Sequence, residues 1–224
     1  MRKTLDELAN LYQTDKGSGY RGASRHGYAV SYDTDKCLAT LRDKPIRLLE
    51  VGVNMEGTEG VHSLKMWLDY FSQAEIYAFD ILNLANHPII KDNQRIHFYR
   101  GDQGQRSDLV KMYEFFGSDL FDVILEDGSH KENHQMISFG VLFKFVKPGG
   151  LYILEDMSIP GNKCCCIRND LTYKTILDFQ NNKTIDSIHL TDDEKAYIEQ
   201  HTESIEMIPD VQNAYVTTII RKKT

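Results

Sequence analysis

Two short apolar runs, each ending in a pair of carboxylates, constrain this chain more than any other feature. Residues 123–127 read VILED and residues 151–156 read LYILED. A helical segment and a Pro-Gly-Gly turn separate the two runs, a pattern typical of two parallel strands in an α/β sheet. Ligands of such sheets bind beyond the carboxyl ends of the strands. We therefore expect both acidic pairs to face the same crevice.

Carboxylates held this close together indicate a cation. Neighbouring strands lie about 4.8 Å apart, and three or four carboxylates at that spacing stay ionised only with a cation among them. Oxygen ligands favour Mg²⁺, Ca²⁺ or Mn²⁺ over zinc. His130 follows Asp127 by three residues and should lie at the rim of the same site. The pattern predicts metal-assisted chemistry with a general base; the alternative is that these carboxylates only belong to solvated loops.

The first strand and the helix after it resemble a nucleotide-binding unit. Residues 46–53 (IRLLEVGV) are apolar almost throughout, as expected of a strand buried on both faces. A turn and a helix with one apolar face follow, so backbone N–H groups at the turn can meet an anionic or polar group. The pattern Gly52-x-Asn54-x-x-Gly57 lacks the middle glycine of the dinucleotide motif and is a weak signal alone.

Polar residues also follow the second and third predicted strands. Residues 75–81 end in Asp80, placed to accept hydrogen bonds from ribose hydroxyls. Residues 95–100 run into Asp102 and Gln103, which we expect near an adenine edge.

Periodicity and capping signals predict the remaining elements. Ser129 and Glu132 form a capping-box pattern, which places His130 in the first turn of a helix that ends at the Pro-Gly-Gly turn. His134, one turn later, is a competing imidazole. Further helices are predicted over residues 4–12, 28–41, 107–116, 171–180 and 191–203, and strands over 121–126, 151–155, 204–208 and 214–220. The last two strands should form an antiparallel hairpin at the sheet edge.

Composition limits the class of protein. The 224 residues suffice for a single α/β domain, and the net charge of −7 argues against nucleic-acid and anionic-membrane partners. No transmembrane stretch or signal peptide is apparent, so we expect a cytoplasmic protein. The three adjacent cysteines 164–166 fit a reducing compartment and are expected to line a loop, with substrate contact as the alternative.

Six motifs together resemble one family. The strings LLEVGV, SLKMWLDYF, IYAFDI, GDQ, FDVILEDGSH and KPGGLYILED occur in the order and approximate spacing of class I S-adenosylmethionine-dependent methyltransferases. More narrowly, residues 5–156 resemble the bacterial metal-dependent O-methyltransferases that act on sugars in macrolide and cell-surface glycan pathways. The N-terminal LANLYQTDKG and HGY resemble the same group.

This resemblance implies a fold and a set of functional residues. The sheet would be seven-stranded and mostly parallel, in the order 3-2-1-4-5-7-6, with residues 1–42 as a helical lid segment and 157–204 on the acceptor side. The divalent metal, Mg²⁺ or Mn²⁺, would be held by Asp127, Glu155 and Asp156, with His130 as the base. The acceptor would be a sugar or nucleotide-sugar, and a homo-oligomer is possible in this group. The residues implied in cofactor contact are Thr14, Lys16, Glu50, Gly52, Asn54, Asp80, Ile81, Asp102, Gln103 and Glu126.

Three stretches depart from the family pattern, and other functions stay open. Glu126 stands where the family usually has Asp, residues 54–63 lack its Gly-Gly-Ser, and residues 159–170 lack its aromatic-rich stretch. The alternatives are an N-methyltransferase of an amino-sugar or phosphorylated amine, an NAD-dependent oxidoreductase, and a non-catalytic cofactor-binding subunit.

Overall fold

The computed structural model describes residues 2–21, 25–54, 60–160 and 170–224. Seven strands form one sheet in the order β3-β2-β1-β4-β5-β7-β6, as predicted. The strands are β1 Arg47–Val51, β2 Glu75–Asp80, β3 Ile96–Arg100, β4 Phe121–Glu126, β5 Val146–Ser158, β6 Thr202–Pro209 and β7 Tyr215–Lys222. The α-helices of the described residues are α1 Leu5–Tyr12, α2 Ala29–Tyr32, α3 His62–Tyr70, α4 Pro88–Lys91, α5 Arg106–Phe115, α6 Glu132–Leu142, α7 Asp170–Asn182 and α8 Asp192–His201.

The sheet changes direction only at one edge. Strands β1 to β5 pair in parallel, whereas β7 pairs antiparallel with both β5 and β6. Inserting an antiparallel strand between the fifth and sixth strands distinguishes this sheet from the 3-2-1-4-5-6 order of dinucleotide-binding folds. The topology therefore argues against the NAD-dependent oxidoreductase alternative.

Two hydrophobic clusters cover the two faces of the sheet. Side chains that alternate along β1, such as Leu48 and Leu49, enter opposite clusters, as the period of a strand requires. One cluster packs α1, α2 and α3 against the sheet and includes the buried Trp67. The other packs α5, α6, α7 and α8 against the opposite face. The carboxyl ends of the parallel strands are left at one edge between these layers.

Three predicted boundaries were wrong. Residues 28–41 form only the four-residue α2 and a short 3₁₀ turn, Ala39–Leu41, because turns interrupt them. The Pro-Gly-Gly turn does not end α6; the helix ends at Leu142, and β5 already contains those residues, with Gly149 at a φ of +74°. Helix α6 begins at Glu132, so His130 precedes the helix and Ser129 is not its N-cap.

The helices predicted over residues 4–12 and 191–203 were confirmed, and both begin with capping boxes. Thr4 and Glu7 form the capping box at the start of α1. Thr191 caps α8 in the same way through Glu194, whose carboxylate lies in the positive first turn. The short α4 was missed because four residues give too little periodicity to detect.

None of the helices in the described ranges combines the length and the hydrophobicity of a membrane span.

Candidate active site

A cavity of about 440 Å³ opens at the carboxyl ends of the parallel strands. This is the size of a pocket for a small molecule or cofactor. Eight residues predicted from sequence to contact the cofactor line it: Thr14, Lys16, Gly52, Asn54, Asp80, Ile81, Asp102 and Gln103. Asp127 and His130 line it as well, so the cavity reaches the predicted metal site.

The turn after β1 approaches the β4 loop too closely for a side chain. Gly52 has a φ of +82°, and a Cβ there would lie 2.2 Å from the carbonyl oxygen of Asp127. The Gly52 N–H donates to the carbonyl of Phe79, and the Asp127 N–H donates to the carbonyl of Val51. These bonds fix the cavity floor. Residues 55–59 of the departing turn lie outside the described residues.

Asp80 holds this turn in place through hydrogen bonds to its backbone. Its Oδ2 accepts hydrogen bonds from the backbone N–H groups of Val53 (2.9 Å) and Asn54 (3.1 Å), and its Oδ1 accepts from Leu82 N–H (2.8 Å). The carboxylate is buried at the cavity edge. A ribose contact by Asp80 stays a prediction, and the structure adds that the same carboxylate orders the turn.

Gln103 connects the adenine side of the cavity to the loop after β4. Its Nε2 donates to Glu126 Oε1 (2.6 Å), and its Oε1 accepts from the Ser129 N–H (2.7 Å). Asp102 Oδ1 accepts from Gly104 N–H at 2.8 Å. His134 also lines the cavity and is hydrogen-bonded to the Ser129 hydroxyl at 2.8 Å.

Two predicted contact residues lie behind the cavity wall. Glu50 is fully buried and accepts from the Ser63 hydroxyl (2.9 Å) and Trp67 Nε1 (3.1 Å). Glu126 is equally buried and bonds to Gln103. Burial raises the pKa of each carboxyl to about 7. Neither side chain lines the cavity, so their expected cofactor contact stays untested and their observed role is to support its wall.

A β-bulge places the second acidic pair. Leu154 pairs with Thr218 but Met157 pairs with Val216, so β5 carries one residue more than β7 across this interval. The extra residue falls at Glu155-Asp156, and Asp156 has a φ of +58°. Bulges redirect side chains and occur beside active sites. Here the bulge makes two consecutive carboxylates available on the same side of β5, which a regular strand would not do.

Three ligand-type side chains converge at the end of the cavity. One donor atom from each of Asp127, His130 and Asp156 lies within 4.8 Å of the others. His130 Nε2 is 4.0 Å from Asp127 Oδ1 and 3.8 Å from Asp156 Oδ2. The two carboxylates supply oxygen donors of the kind that Mg²⁺ and Mn²⁺ prefer, so they fit the predicted ion.

His130 reaches this position through its backbone. Its φ of +55° turns the chain back before α6, an uncommon conformation for a residue with a side chain. Burial lowers the pKa of His130, but Asp156, Asp127 and Glu126 raise it by more, so the net shift is upward. A cation among these carboxylates would offset the upward shift.

Lys16, from the N-terminal segment, extends into the cluster formed by Asp127, Glu155 and Asp156, here called the acidic group. Its side-chain nitrogen is 2.9 Å from Glu155 Oε2, hydrogen-bonds Asp127 Oδ2, and lies 3.9 Å from Glu50 Oε1. Glu155 does not belong to the group of three converging ligands; its two oxygens bond Lys16 and Tyr32. Burial and the Asp127 carboxylate raise the pKa of Glu155 well above its usual range. The Lys16 ammonium opposes only part of this rise. Its predicted role as a metal ligand stays untested.

Aromatic residues of the N-terminal segment also hold the bulge carboxylates. The Tyr28 hydroxyl donates to Asp156 Oδ1 (2.9 Å), and the Tyr32 hydroxyl donates to Glu155 Oε1 (2.6 Å). His26 lies between Asp156 Oδ2 (3.4 Å) and Asp210 Oδ2 (3.3 Å). Sequence reasoning assigned no individual role to these residues. The HGY motif signalled His26 and Tyr28, and nothing signalled Tyr32, since hydroxyl donors to a distant strand have no local pattern.

Comparisons with known proteins agree with this fold. No family model matches the sequence. The chain is 39% identical over 155 residues to the 8-demethyl-8-(2-methoxy-alpha-L-rhamnosyl)-tetracenomycin-C 3'-O-methyltransferase of Streptomyces olivaceus, and 35% identical over 155 residues to the mycinamicin VI 2''-O-methyltransferase of Micromonospora griseorubida. Each match covers 68% of this chain and 36% of the relative, so the chain spans about a third of their length.

A solved structure extends the likeness to the whole chain. The MycE methyltransferase from the mycinamycin pathway, in complex with Mg, SAH and mycinamycin VI, superposes with a TM-score of 0.73 at 26% identity. The match covers 99% of this chain and 55% of that one. The chain has the class I methyltransferase fold. In this fold, the cavity above β1 and the carboxylates beside it lie at the carboxyl edge of the parallel strands.

Proposed function

We propose that the chain catalyses S-adenosylmethionine-dependent O-methylation of a sugar hydroxyl on a glycosylated small molecule, with a divalent ion. One observation carries this proposal: the cavity extends to the cluster of acidic side chains. Asp127 and His130 line the cavity and also face Asp156. The names of the relatives, sugar and macrolide O-methyltransferases, support the same reaction.

The cavity residues have the chemistry to hold the cofactor. The close approach of Gly52 to the Asp127 carbonyl leaves a surface of backbone at the cavity floor. Asp80 and Gln103 fix the two loops on which ribose and adenine would rest. S-adenosylmethionine supplies an electrophilic methyl group when bound. The protein contributes mainly alignment, because methyl transfer requires the acceptor oxygen in line with the breaking carbon–sulfur bond.

The acidic residues would hold the ion and the acceptor. Asp127, Glu155 and Asp156 are the proposed ligands of Mg²⁺ or Mn²⁺. A divalent ion at this position would lower the pKa of an acceptor hydroxyl. His130 would take the hydroxyl proton as the acceptor oxygen bonds the methyl carbon, and the electron pair of the broken carbon–sulfur bond would stay on sulfur.

Paired histidine variants test this assignment. His130→Ala should lose at least about a hundredfold in turnover, the scale of general-base catalysis, while calorimetry still detects S-adenosylmethionine binding. His97→Ala is the matched control. His97 lies on β3, is partly exposed and pairs with Glu75 on β2. The assay should use glycosides and nucleotide-sugars as acceptors, with and without a chelator.

The outcomes separate the candidate reactions. Turnover lost in chelator and regained with Mg²⁺ supports metal-assisted O-methylation. Full activity in chelator would contradict the metal's role and favour N-methylation of an amino-sugar or phosphorylated amine. A folded protein that binds no S-adenosylmethionine would refute the methyltransferase proposal itself.

The acceptor would enter from the side of residues 157–204. We base this assignment on β5: Asp156 lies near its end, and the chain continues from there into residues 157–204. Residues 161–169, including the three cysteines, lie outside the described residues. We propose residues 1–42 as the covering segment, since Lys16 and Tyr28 from this part of the chain already contact the acidic group.

A further inference from the structure

The buried ammonium of Lys16 lies between two carboxylates that the proposed function assigns to the ion. Only 1% of the Lys16 surface is exposed. Its nitrogen bonds Asp127 Oδ2 and Glu155 Oε2, the two acids contributed by adjacent strands β4 and β5. The segment is anchored there, because the Lys16 carbonyl accepts from Ala29 N–H at 2.9 Å.

An ion held by Asp127 and Glu155 together needs the same space. Mg²⁺ binds oxygen ligands at about 2.0–2.1 Å, so an ion shared by these two carboxylates must lie between them. Lys16 occupies that position in the described arrangement. The ammonium also supplies the positive charge that the acidic group requires, because burial of unpaired carboxylates is unfavourable.

We infer that Lys16 is an internal cation that competes with the divalent ion for Asp127 and Glu155. The ion displaces the Lys16 ammonium from these carboxylates when it binds. Without the ion, Lys16 keeps the acidic group compact and the N-terminal segment closed on it. This inference rests on the proposed metal-assisted function, and it assigns Lys16 to the ion site rather than to the cofactor.

The affinity for Mn²⁺ tests the competition directly. Lys16→Met removes the ammonium but keeps a side chain of similar length. Free Mn²⁺, measured by electron paramagnetic resonance during titration, should show binding to this variant roughly tenfold tighter or more, the scale on which neighbours of metal ligands change affinity. A permanent supporting role of Lys16 predicts weaker binding instead.

Lys147→Met is the matched control variant. Lys147 forms a 2.8 Å ion pair with Asp122 between the same two strands, at their opposite end. Its loss changes the net charge by the same amount, so any general effect of charge appears in both variants. Equal gains in Mn²⁺ affinity in the two variants would overturn the inference.

A second experiment needs only the unaltered protein. Acylation of lysine amines followed by mass spectrometry should show Lys16 protected without metal and modified at least about tenfold faster with saturating Mn²⁺, since displacement ends its burial. Lys222 is the internal control, because its ammonium is buried against the carbonyls of Phe143, Lys144 and Val146 and should stay protected.

The results distinguish the two proposals. Mn²⁺ binding to the unaltered protein with Lys16 still protected, and no tighter binding by Lys16→Met, would refute the competition but leave the metal-assisted reaction standing. Absence of Mn²⁺ binding in both folded proteins would refute both. Tighter binding by the variant together with exposure of Lys16 supports the inference.

Discussion

Two residues at the candidate site adopt backbone conformations that residues with a side chain usually avoid. His130 and Asp156 have φ values of +55° and +58°. Such conformations cost of order 1–3 kcal/mol each and persist where the surrounding structure determines them. Here the surroundings include Tyr28, which donates to Asp156, and the bulge in β5. Sequence placed these two residues at the site but gave no indication of their backbone.

Tyr28→Phe should weaken the binding of the divalent ion. The variant removes only the hydroxyl that donates to Asp156 Oδ1. Loss of such a contact typically costs about 10–100-fold in metal affinity, so Mn²⁺ titration should show weaker binding with S-adenosylmethionine affinity retained. The direction is opposite to that expected for Lys16→Met.

Tyr12→Phe provides the comparison for this variant. The Tyr12 hydroxyl also bonds a carboxylate, Asp69, but on the protein surface. Its loss should leave Mn²⁺ affinity unchanged. If Tyr28→Phe and Tyr12→Phe have the same Mn²⁺ affinity as the unaltered protein, Tyr28 does not position Asp156.

At the scale of elements, the sequence predicted what strands and helices contain better than where they end. Alternating and continuous apolar runs identified β1, β2 and β4 because burial on the sheet requires them. Residues 148–150 were expected to form a turn, because a proline and two glycines normally end an element. They belong to β5, where Gly149 N–H bonds to the Lys223 carbonyl.

The chain between α6 and β5 depends on a charge from β7. Lys222 donates to the carbonyls of Phe143 (3.2 Å) and Lys144 (3.1 Å) in the 3₁₀ turn after α6, and to that of Val146 (2.7 Å) at the start of β5. Lys222→Met should therefore lower the free energy of unfolding by roughly 2 kcal/mol or more, measured by urea denaturation.

The adjacent lysine provides the reference. The side chain of Lys223 donates to the Gln200 carbonyl in an exposed position. Lys223→Met should change the free energy of unfolding by about 0.5 kcal/mol at most. A similar loss in both variants would show that the buried position of Lys222 contributes nothing beyond a surface lysine.

At the scale of the whole molecule, one ion pair connects α5 to α8, two helices that pack on the same face of the sheet. Arg106, at the start of α5, forms two hydrogen bonds with the carboxylate of Glu194 on α8, at 3.0 and 2.9 Å. Burial alone would raise the pKa of Glu194, but the hydrogen bonds from Arg106 and Thr191 lower it below its ordinary value of 4.5. The pair therefore stabilises the fold when Glu194 is ionised.

The stability contributed by this pair should depend on pH. Because the pKa of Glu194 is lower in the folded protein, the contribution is complete above the unfolded value of 4.5 and is lost as pH falls through the folded value. Arg106→Met should cost about 1 kcal/mol or more at pH 7, with a smaller difference below pH 4.5 in urea titrations. A difference that grows toward low pH would contradict this assignment.

The acidic pairs were predictable because they follow from local patterns, whereas the strand order was implied only by the resemblance to the methyltransferase family. Strand-end carboxylates such as Asp127 and Glu155 appear in the sequence directly after apolar runs. The partners of those carboxylates were not predictable in the same way. Lys16 is 139 residues from Glu155, and Tyr28 is 128 residues from Asp156, so only the folded chain brings them together.

The bulge in β5 means that the chemistry of this site depends on the length of a strand as well as on its residues. Deleting Asp156 would bring Met157 into the register of a regular strand against Val216. The sheet could then pair without interruption, and Glu155 and Asp156 would lose the arrangement on which the proposed metal site depends. Under the proposed function, a single codon deletion would therefore separate folding from catalysis, because the strand would still pair without the site that the reaction needs.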